Sequence, residues 1–276
     1  MTSPQLLVAT VTPFTADNHI DYTLLDQHVR WLERCGVDGV VPTGTTGGFL
    51  YLTTHEKRAI HRAVIGVTRN ARVIPCVWDP QRKETLFLAR QAAVDGAWGV
   101  ISPPPLYHRV CEAAIVEWYA AIVDAVKIPV LAYHHPRTGN PLSIALIRKL
   151  IDDVGCWGVK DSSKDPERVR ILSDAYPERV YVGGDNFLGQ AEALGPIAGH
   201  VSGFANVYPE SAVRGIRGTI PRDALLAAMN AVRAAGGPPA MAARLGMKHR
   251  PPLHIFDADA VAALSKPSFT PLGGLL

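Results

Sequence analysis

The stretch CWGVKDSSKDPERVRIL at residues 156–172 contains the whole pattern on which the fold depends. It begins with the short apolar run Cys156–Val159, which predicts a buried strand, and it continues through a polar turn. Asp165, Pro166 and Glu167 then mark a helix start, with a capping side chain, a proline in the first turn and an acid near the helix N-terminus. A strand followed at once by a helix is the repeating unit of parallel α/β folds.

The same unit repeats along the chain. Apolar runs alternate with helical segments, and the runs are continuous, which is typical of parallel strands buried on both faces. The runs are Leu6–Val11, Gly39–Pro42, Val73–Val77, Trp98–Ser102, Ile128–Tyr133, Cys156–Val159, Val180–Val182 and His200–Phe204. Similar units at similar spacing favour a closed barrel, and the GxGxxG fingerprint of an open doubly wound sheet is absent after the first run. We therefore predict an α/β fold, a (β/α)8 TIM barrel.

The length of the chain agrees with one such barrel and a remainder. The chain has 276 residues, and a barrel of this type needs roughly 250. The repeat ends after about Ser211, where helical segments and a proline-rich tail follow. The sequence predicts a barrel over residues 1–210 and a short C-terminal helical appendage over residues 211–276, packed on the barrel without a core of its own.

Composition excludes several classes of protein. An apolar fraction of 47% with 19% charged residues argues against disorder, and a net charge of +3 is too balanced to indicate nucleic-acid or membrane binding. No apolar run reaches the ~18–20 residues of a membrane span, and the N-terminus has no visible secretory signal. Cys35, Cys76, Cys111 and Cys156 lie far apart without a CxxC pair. We expect a cytoplasmic protein with reduced thiols.

Lys160 is the first candidate for a functional residue. The carboxyl ends of barrel strands form one ring at the site face, and Lys160 directly follows the run Cys156–Val159. A neutral amine at the mouth of an apolar barrel can attack a ketone and form an imine. The alternative is a structural lysine paired with Asp161 or another carboxylate, and the spacing alone does not separate the two.

Two further strand ends carry groups that suit the same chemistry. The turn Gly44-Thr45-Thr46-Gly47 offers backbone N–H groups and hydroxyls as a nest for a small anion such as a carboxylate. It lacks the GK[ST] ending of a nucleotide-binding P-loop. Tyr133 ends the fifth run, where a phenol can transfer a proton. An ordinary Gly/Thr turn and a core tyrosine are the structural alternatives.

His134 and His135, with Asp79, raise the hypothesis of a metal-dependent barrel hydrolase. Neighbouring residues of a strand point to opposite faces, so the two histidines cannot ligate one ion. The sequence also has no HxH or HExxH pattern. We therefore predict no metal site.

Together these residues resemble the family of dihydrodipicolinate synthase and N-acetylneuraminate lyase, the class I pyruvate-type aldolases. The resemblance runs from Val8 to about Tyr208 and rests on motifs that occur in the family's order at the strand ends. The motifs are Ala9–Phe14 in the opening strand, Gly44–Gly47 like GTTGE, Tyr133–Gly139 like YNxPxxTG, Gly158–Ser163 like the GxKD/E-S lysine strand, Gly184-Asp185, and Val201–Val207.

The resemblance implies a mechanism. Lys160 would form a Schiff base with pyruvate or another 2-oxo acid, so no metal or diffusible cofactor would be needed. Thr45 and Thr46 would hold the carboxylate of the 2-oxo acid. Tyr133 would be the general acid/base, and the Thr45 hydroxyl would complete a proton relay. A further tyrosine, for which Tyr107 is the candidate, would come from a neighbouring subunit.

The resemblance also implies binding residues and partners. Gly44, Gly184 and Val201 would contact the substrate, and Arg137 stands near the place where the synthase branch holds a second carboxylate. The partners would be pyruvate and an aldehyde, with no nucleic acid and no membrane. Family members are usually homotetramers built from dimers, so we expect a homotetramer or homodimer.

Departures from the family pattern leave the substrate open. Gly48 stands in place of the usual glutamate, His134 in place of asparagine, and the loop after Tyr133 is one residue shorter. Trp78 replaces a glycine-rich stretch and is expected to narrow the mouth. We predict aldol cleavage or addition of a 2-keto-3-deoxy sugar acid. The alternatives are 4-hydroxy-tetrahydrodipicolinate synthase-type condensation of pyruvate with an aldehyde, a keto-deoxy sugar-acid dehydratase, and a catalytically altered binding member.

Overall fold

A computed structural model describes residues 3–250, 252 and 258–266 of the chain. Its strands are β1 (Gln5–Ala9), β2 (Gly39–Val41), β3 (Arg72–Val73), β4 (Val100–Ser102), β5 (Val130–His134), β6 (Gly158–Asp161), β7 (Val180–Gly183) and β8 (Gly199–Ser202). The helices are α1 (Tyr22–Arg34), α2 (Thr54–Val67), α3 (Arg82–Asp95), α4 (Glu112–Ala125), α5 (Ile144–Asp152), α6 (Pro166–Ala175), α7 (Ala191–Leu194), α8 (Pro209–Ile216), α9 (Arg222–Ala234), α10 (Pro238–Arg244) and α11 (Ala258–Ala263).

The strands form one parallel sheet that closes on itself. Their order is β3-β2-β1-β8-β7-β6-β5-β4, with a helix after each strand. The strands at the two ends of this order are β3 and β4. A parallel bridge between Cys76, which follows β3, and Ile101 of β4 joins the two sides. Val77 N–H donates to the Ile101 carbonyl at 3.0 Å, and Ile101 N–H donates to the Pro75 carbonyl at 3.0 Å. The predicted (β/α)8 barrel is confirmed.

All eight strands differ from the predicted runs by one to four residues at one or both ends, and two of these differences have a direct physical reason. The third strand was expected over Val73–Val77, but regular pairing in β3 stops at Val73 because Pro75 has no N–H to donate to the ladder. The sixth strand was expected to end at Val159, but β6 continues through Lys160 and Asp161. Polar side chains do not interrupt a ladder that is made by backbone groups, so an apolar run marks only the buried part of a strand.

The repeating unit at residues 156–172 folds as its sequence predicts. The Asp165 side chain accepts the Arg168 backbone N–H at 3.1 Å, and Pro166 occupies the first turn of α6. The buried face of α6 carries Val169 and Leu172, which lie in the same core cluster as the strand residue Val159. Local sequence therefore places this helix on the outside of β6.

The C-terminal helices pack on the barrel and share its core. The predicted boundary at residue 210 falls inside α8, the helix that completes the eighth unit. Leu225 and Met229 of α9 are buried in one cluster with the β1 residue Val8. Residues 251, 253–257 and 267–276 of the predicted appendage, with most of its proline-rich tail, lie outside the described residues.

Within residues 3–250, 252 and 258–266, no helix is long and apolar enough to cross a membrane.

Candidate active site

The carboxyl ends of the strands open into a cavity of about 300 Å³. All but one of the site residues proposed from the sequence line this cavity, and Tyr107 is the exception. The lining residues among them are Gly44, Thr45, Thr46, Tyr133, Arg137, Lys160, Gly184 and Val201. They meet although they are distant in sequence, because parallel strands of a barrel all end at the same face.

Lys160 and Tyr133 form the centre of the site. They are register partners on the adjacent parallel strands β6 and β5, so both side chains point to the same side of the sheet. Both are buried, and the Lys160 Nζ lies 4.2 Å from the centroid of the Tyr133 ring. The amine and the phenol can therefore reach the same carbon of a bound substrate.

The structural alternative for Lys160, an ion pair with Asp161, is wrong. Successive strand residues point to opposite faces, and the Asp161 Oδ2 accepts from the Arg168 Nε at 2.8 Å. Within the described ranges, Lys160 has no carboxylate within ion-pair distance. Its amine is left facing the cavity.

Gly183 on the neighbouring strand β7 makes room for this amine. A Cβ atom at Gly183 would come within 3.0 Å of the Lys160 Cε and 2.0 Å of the Ser162 Oγ. Real Cβ atoms do not come within 2.0 Å of an oxygen, so a side chain at residue 183 would displace the Ser162 hydroxyl and would also crowd the Lys160 side chain. The glycine after Val182 in the seventh run thus has a steric role in the site.

The expected contact between the nest and the phenol is present. The Thr45 Oγ1 lies 3.4 Å from the Tyr133 hydroxyl, and either oxygen can be the donor. Gly48, at the end of the nest, has φ +71, a left-handed conformation that favours glycine. A glycine at position 48, where the motif usually has glutamate, therefore adopts this conformation without strain.

Thr43 and His61 support the nest, and neither residue was predicted as part of the site from the sequence. Thr43 has φ +54, and its Oγ1 lies 2.6 Å from the His61 Nε2 and 2.9 Å from the Cys76 carbonyl oxygen. Burial, followed by the charges of Lys57 and Arg58, lowers the pKa of His61 to about 3, so the ring is neutral. His61 lies in the middle of α2, where no local pattern distinguishes it from a core residue.

The outer part of the cavity carries positive charge from Arg137 and Lys164 of the barrel loops and from Arg233 of α9. The imidazole of His135 lines the same part. Within the described residues that line the cavity, Asp185 is the sole carboxylate.

Asp185 is internally satisfied. Its Oδ1 accepts from the Ser202 Oγ at 2.5 Å and its Oδ2 accepts from the Phe204 N–H at 3.2 Å. Burial raises its pKa above the usual range, and the Ser202 hydrogen bond opposes that shift. Asp185 thus ties β7 to β8 and leaves the outer cavity with a surplus of positive charge.

Side chains of the C-terminal helices complete the cavity wall. Met229, Val232 and Arg233 of α9 and Met241 of α10 all line it. The sequence predicts only that this appendage packs on the barrel, and none of the predicted site residues belongs to it. The residues that follow the eighth βα unit belong to none of the motifs. They reach the cavity wall because their helices pack over the mouth of the barrel.

Tyr107 lies away from this cavity in the same chain. It is 88% exposed, has φ +72, and lines a neighbouring surface groove with Leu50, Trp78 and Leu106; this groove shares Arg137 with the cavity. Trp78 was expected to narrow the mouth, but it lines this groove and packs edge-on against Phe49. Within a single chain, Tyr107 therefore does not line the cavity that holds Lys160.

His134 is a positioning residue for the loop after β5. It is buried, and its Nδ1 accepts from the Leu142 N–H at 3.1 Å. His135 is the next residue, and it lines the cavity. Within the described ranges, no group of three or more His, Cys, Asp or Glu side chains is arranged to hold a metal ion.

Asp79, the third residue of the hydrolase hypothesis, belongs to a buried ion pair. Its Oδ2 accepts from the Lys57 Nζ at 3.2 Å and from the Thr54 Oγ1 at 2.9 Å. The Lys57 Nζ also donates to the Trp78 carbonyl at 3.0 Å, and Lys57 is only 2% exposed. These contacts stabilise the loop after β3.

Replacing Asp79 with alanine is expected to destabilise the protein. Loss of the carboxylate leaves the buried Lys57 charge unpaired, which costs about 3–5 kcal/mol. Urea unfolding measures the change. The control is the double variant Lys57→Met/Asp79→Leu, which removes both charges and should lose much less. A single variant no less stable than the double variant would contradict the role assigned to this ion pair.

Comparison with known proteins places these observations in a family. Residues 2–220 match the sequence model of the Dihydrodipicolinate synthetase family. An uncharacterized DapA-like lyase of Halobacterium salinarum is 39% identical, covering 74% of this chain and 67% of that protein. A probable mitochondrial 4-hydroxy-2-oxoglutarate aldolase of Emericella nidulans is 30% identical, covering 76% and 72%. The crystal structure of dihydrodipicolinate synthase DapA-2 from Bacillus anthracis has the same fold, with a TM-score of 0.85 over 96% and 97% of the two chains at 22% identity.

Proposed function

Because the chain belongs to the dihydrodipicolinate synthetase family and is a lyase of that family, we propose that it forms a Schiff base between Lys160 and pyruvate or a related 2-oxo acid. One observation carries the proposal. The Lys160 Nζ lies 4.2 Å from the Tyr133 ring, and the Tyr133 hydroxyl lies 3.4 Å from the Thr45 Oγ1 inside one cavity. A nucleophile, a proton-transfer group and an anion nest are thereby combined.

The proposed reaction begins with addition of the Lys160 amine to the ketone carbon. The carbinolamine loses water and becomes an imine, while the carboxylate lies in the nest formed by Gly44, Thr45 and Thr46. Loss of a proton from C3 gives an enamine, because the imine nitrogen accepts the electron pair. Tyr133 is placed to carry this proton. The imine is itself the electron sink, so the proposed chemistry uses no diffusible cofactor.

Formation of the new bond follows from the enamine. Its C3 attacks the carbonyl carbon of an aldehyde, the aldehyde oxygen takes a proton, and water then releases the product from Lys160. The reverse sequence cleaves a 2-keto-3-deoxy acid into pyruvate and an aldehyde, and we propose a substrate of this type. A synthase-type condensation is the second proposal, supported by the position of Arg137 on the cavity wall.

Borohydride trapping tests the Schiff base. The wild-type protein, incubated with pyruvate and borohydride, should gain the mass of one reduced pyruvate adduct, and peptide mapping should place it on Lys160. Lys164→Ala is the matched control, since Lys164 lines the same cavity and its removal should leave the adduct in place. Absence of an adduct in the wild-type protein would overturn the proposed function.

We also propose that the protein is an oligomer in which Tyr107 acts in the cavity of a neighbouring subunit. Its 88% exposure and the groove beside it, with Leu50 58% exposed, support this arrangement. Tyr107→Phe alone should lower turnover by about 10-fold or more.

Mixing variants tests the exchange between subunits. Lys160→Ala subunits keep Tyr107, and Tyr107→Phe subunits keep Lys160, so mixed oligomers should regain turnover that neither variant has. The mixture is unfolded and refolded together, and its turnover is compared with that of each variant treated alone. A mixture no more active than the Tyr107→Phe protein would show that Tyr107 does not act across an interface.

A further inference from the structure

His135 lies beside the reacting groups without being one of them. It directly follows β5 and lines the cavity together with Lys160. Its ring centroid is 6.0 Å from that of Tyr133, whose centroid is 4.2 Å from the Lys160 Nζ. His135 therefore stands next to Tyr133 on the wall of the cavity that holds Lys160.

The hydrogen bonds of His135 determine which ring nitrogen carries the proton. The Nδ1 accepts from the backbone N–H of Arg137 at 3.1 Å. Burial, followed by the charges of Arg137 and Lys160, lowers the pKa of His135 to about 4, so the ring is neutral near pH 7. A neutral imidazole with an accepting Nδ1 has its proton on Nε2. The Nε2 of His135 is therefore a hydrogen-bond donor.

This donor faces another donor. The Arg137 Nη2 lies 3.5 Å from the His135 Nε2, and a guanidinium group has no acceptor. Two N–H groups at this separation cannot satisfy each other, but both can donate to one oxygen placed between them. Lys164 and Arg233 add positive charge to the same cavity, and Asp185 is already engaged with Ser202. The outer cavity thus presents the N–H groups of His135 and Arg137 together with positive charge, and the one carboxylate of its described lining, Asp185, already accepts from Ser202.

We propose that His135 is a specificity-determining residue that acts with Arg137 to bind a carboxylate on the part of the substrate farthest from Lys160. The resemblance to the synthase branch already points to Arg137, and the new element is the imidazole donor beside it. The inference rests on the proposed Schiff base, because that bond positions the substrate. The acceptor aldehyde, or the corresponding end of the cleaved acid, is then anionic.

Chain-matched 2-oxo acids test the proposal without knowledge of the natural aldehyde. Both 2-oxoadipate and 2-oxohexanoate can form the imine, and they differ in the carboxylate or methyl group at the far end. The concentration that gives half-maximal borohydride trapping is measured for each acid and for pyruvate. In the wild-type protein it should be lower for 2-oxoadipate than for 2-oxohexanoate by about 10-fold or more, the effect of a hydrogen bond to a charged group.

Three variants distinguish hydrogen bonding by His135 and Arg137 from the general effect of positive charge in the cavity. His135→Asn keeps an oxygen that can accept the Arg137 N–H. Its amide nitrogen is bonded to Cγ, closer to the backbone than the imidazole Nε2, so the donor at the Nε2 position is lost. This variant and Arg137→Gln should each reduce the ratio by about 5-fold or more while still forming the pyruvate adduct. Arg233→Gln removes a charge from the same cavity, but the Arg233 Nη2 already donates to Asn186 at 2.6 Å, so the ratio should persist.

The outcomes are distinguishable. Equal trapping of 2-oxoadipate and 2-oxohexanoate by a wild-type protein that forms the pyruvate adduct would overturn the role of His135 and leave the proposed function standing. An equal loss of preference in Arg233→Gln and Arg137→Gln, with the preference intact in His135→Asn, would assign the effect to net charge and also overturn it. Absence of the pyruvate adduct itself would overturn the proposed function.

Discussion

Replacing Lys160 with alanine is expected to abolish the pyruvate adduct and to lower turnover by about 10³-fold or more. The imine supplies the electron sink that makes C3 acidic, and Lys160 is the amine that lies beside the Tyr133 ring. Lys160 is buried and faces the cavity, while its strand neighbour Asp161 is paired with Arg168. The measurement combines intact mass after borohydride treatment with turnover of pyruvate and an aldehyde.

The control for Lys160→Ala is Lys164→Ala. Lys164 is four residues further along the chain and also lines the cavity, so loss of a positive charge there matches the change without removing the proposed nucleophile. Circular dichroism and thermal unfolding of both variants establish that they fold. A Lys160→Ala protein that still gains a pyruvate adduct would place the Schiff base on another residue.

Replacing Tyr133 with phenylalanine is expected to lower turnover by about 10²–10⁴-fold, the usual contribution of a general acid/base. The ring that packs beside the Lys160 Nζ remains, and only the hydroxyl near the Thr45 Oγ1 is lost. Imine formation should therefore survive in part, because the amine and the nest are intact. Rapid borohydride quenching measures the imine separately from turnover.

Tyr181→Phe is the matched control for this substitution. Tyr181 is the register partner of Lys160 on the other side, it is buried, and its hydroxyl donates to the Gln5 Oε1 at 2.7 Å. Loss of that hydroxyl removes a hydrogen bond of similar type outside the proposed relay, so turnover should change little. If Tyr133→Phe turned over as fast as Tyr181→Phe, the phenol of Tyr133 would have no part in proton transfer.

The distribution of charge in the cavity relates these predictions to the choice of substrate. The inner part, around Lys160 and the nest, suits the 2-oxo acid that all the proposed reactions share. The outer part is formed by His135 and Arg137, which occupy unspecified positions of the Tyr133–Gly139 motif, and by Arg233 of α9, which belongs to none of the motifs. Substitutions in the inner part should stop every reaction, whereas substitutions in the outer part should change which acid is bound.

Most of the fold could be predicted from the sequence, because each βα unit carries its own signals. Apolar runs mark the buried part of each strand, and capping residues such as Asp165 mark the helix starts. The ends of strands were less well predicted. β6 extends to Asp161 because its neighbours pair with it, and β3 stops near Pro75 because proline has no N–H.

The candidate site could be predicted only in part. Lys160, Tyr133 and Thr45 were found because each stands in a motif at a strand end, and the barrel brings strand ends together. His61 was missed because it is a helix residue whose contact with Thr43 spans 18 positions of the chain. The cavity position of Met241 and the outward position of Tyr107 were also missed, since both depend on how loops and helices pack.

The sequence by itself determined the alternation of strands and helices, their order, and the residue types present at the strand ends. These are local properties, set by hydrophobic spacing, capping and the absence of N–H groups at proline. Only the tertiary structure decided that Lys160 faces the cavity while Asp161 pairs with Arg168, and that α9 and α10 complete the cavity wall. It also placed His135 and Arg137 as facing donors, because distances between side chains depend on backbone turns and rotamers that no single stretch of sequence specifies.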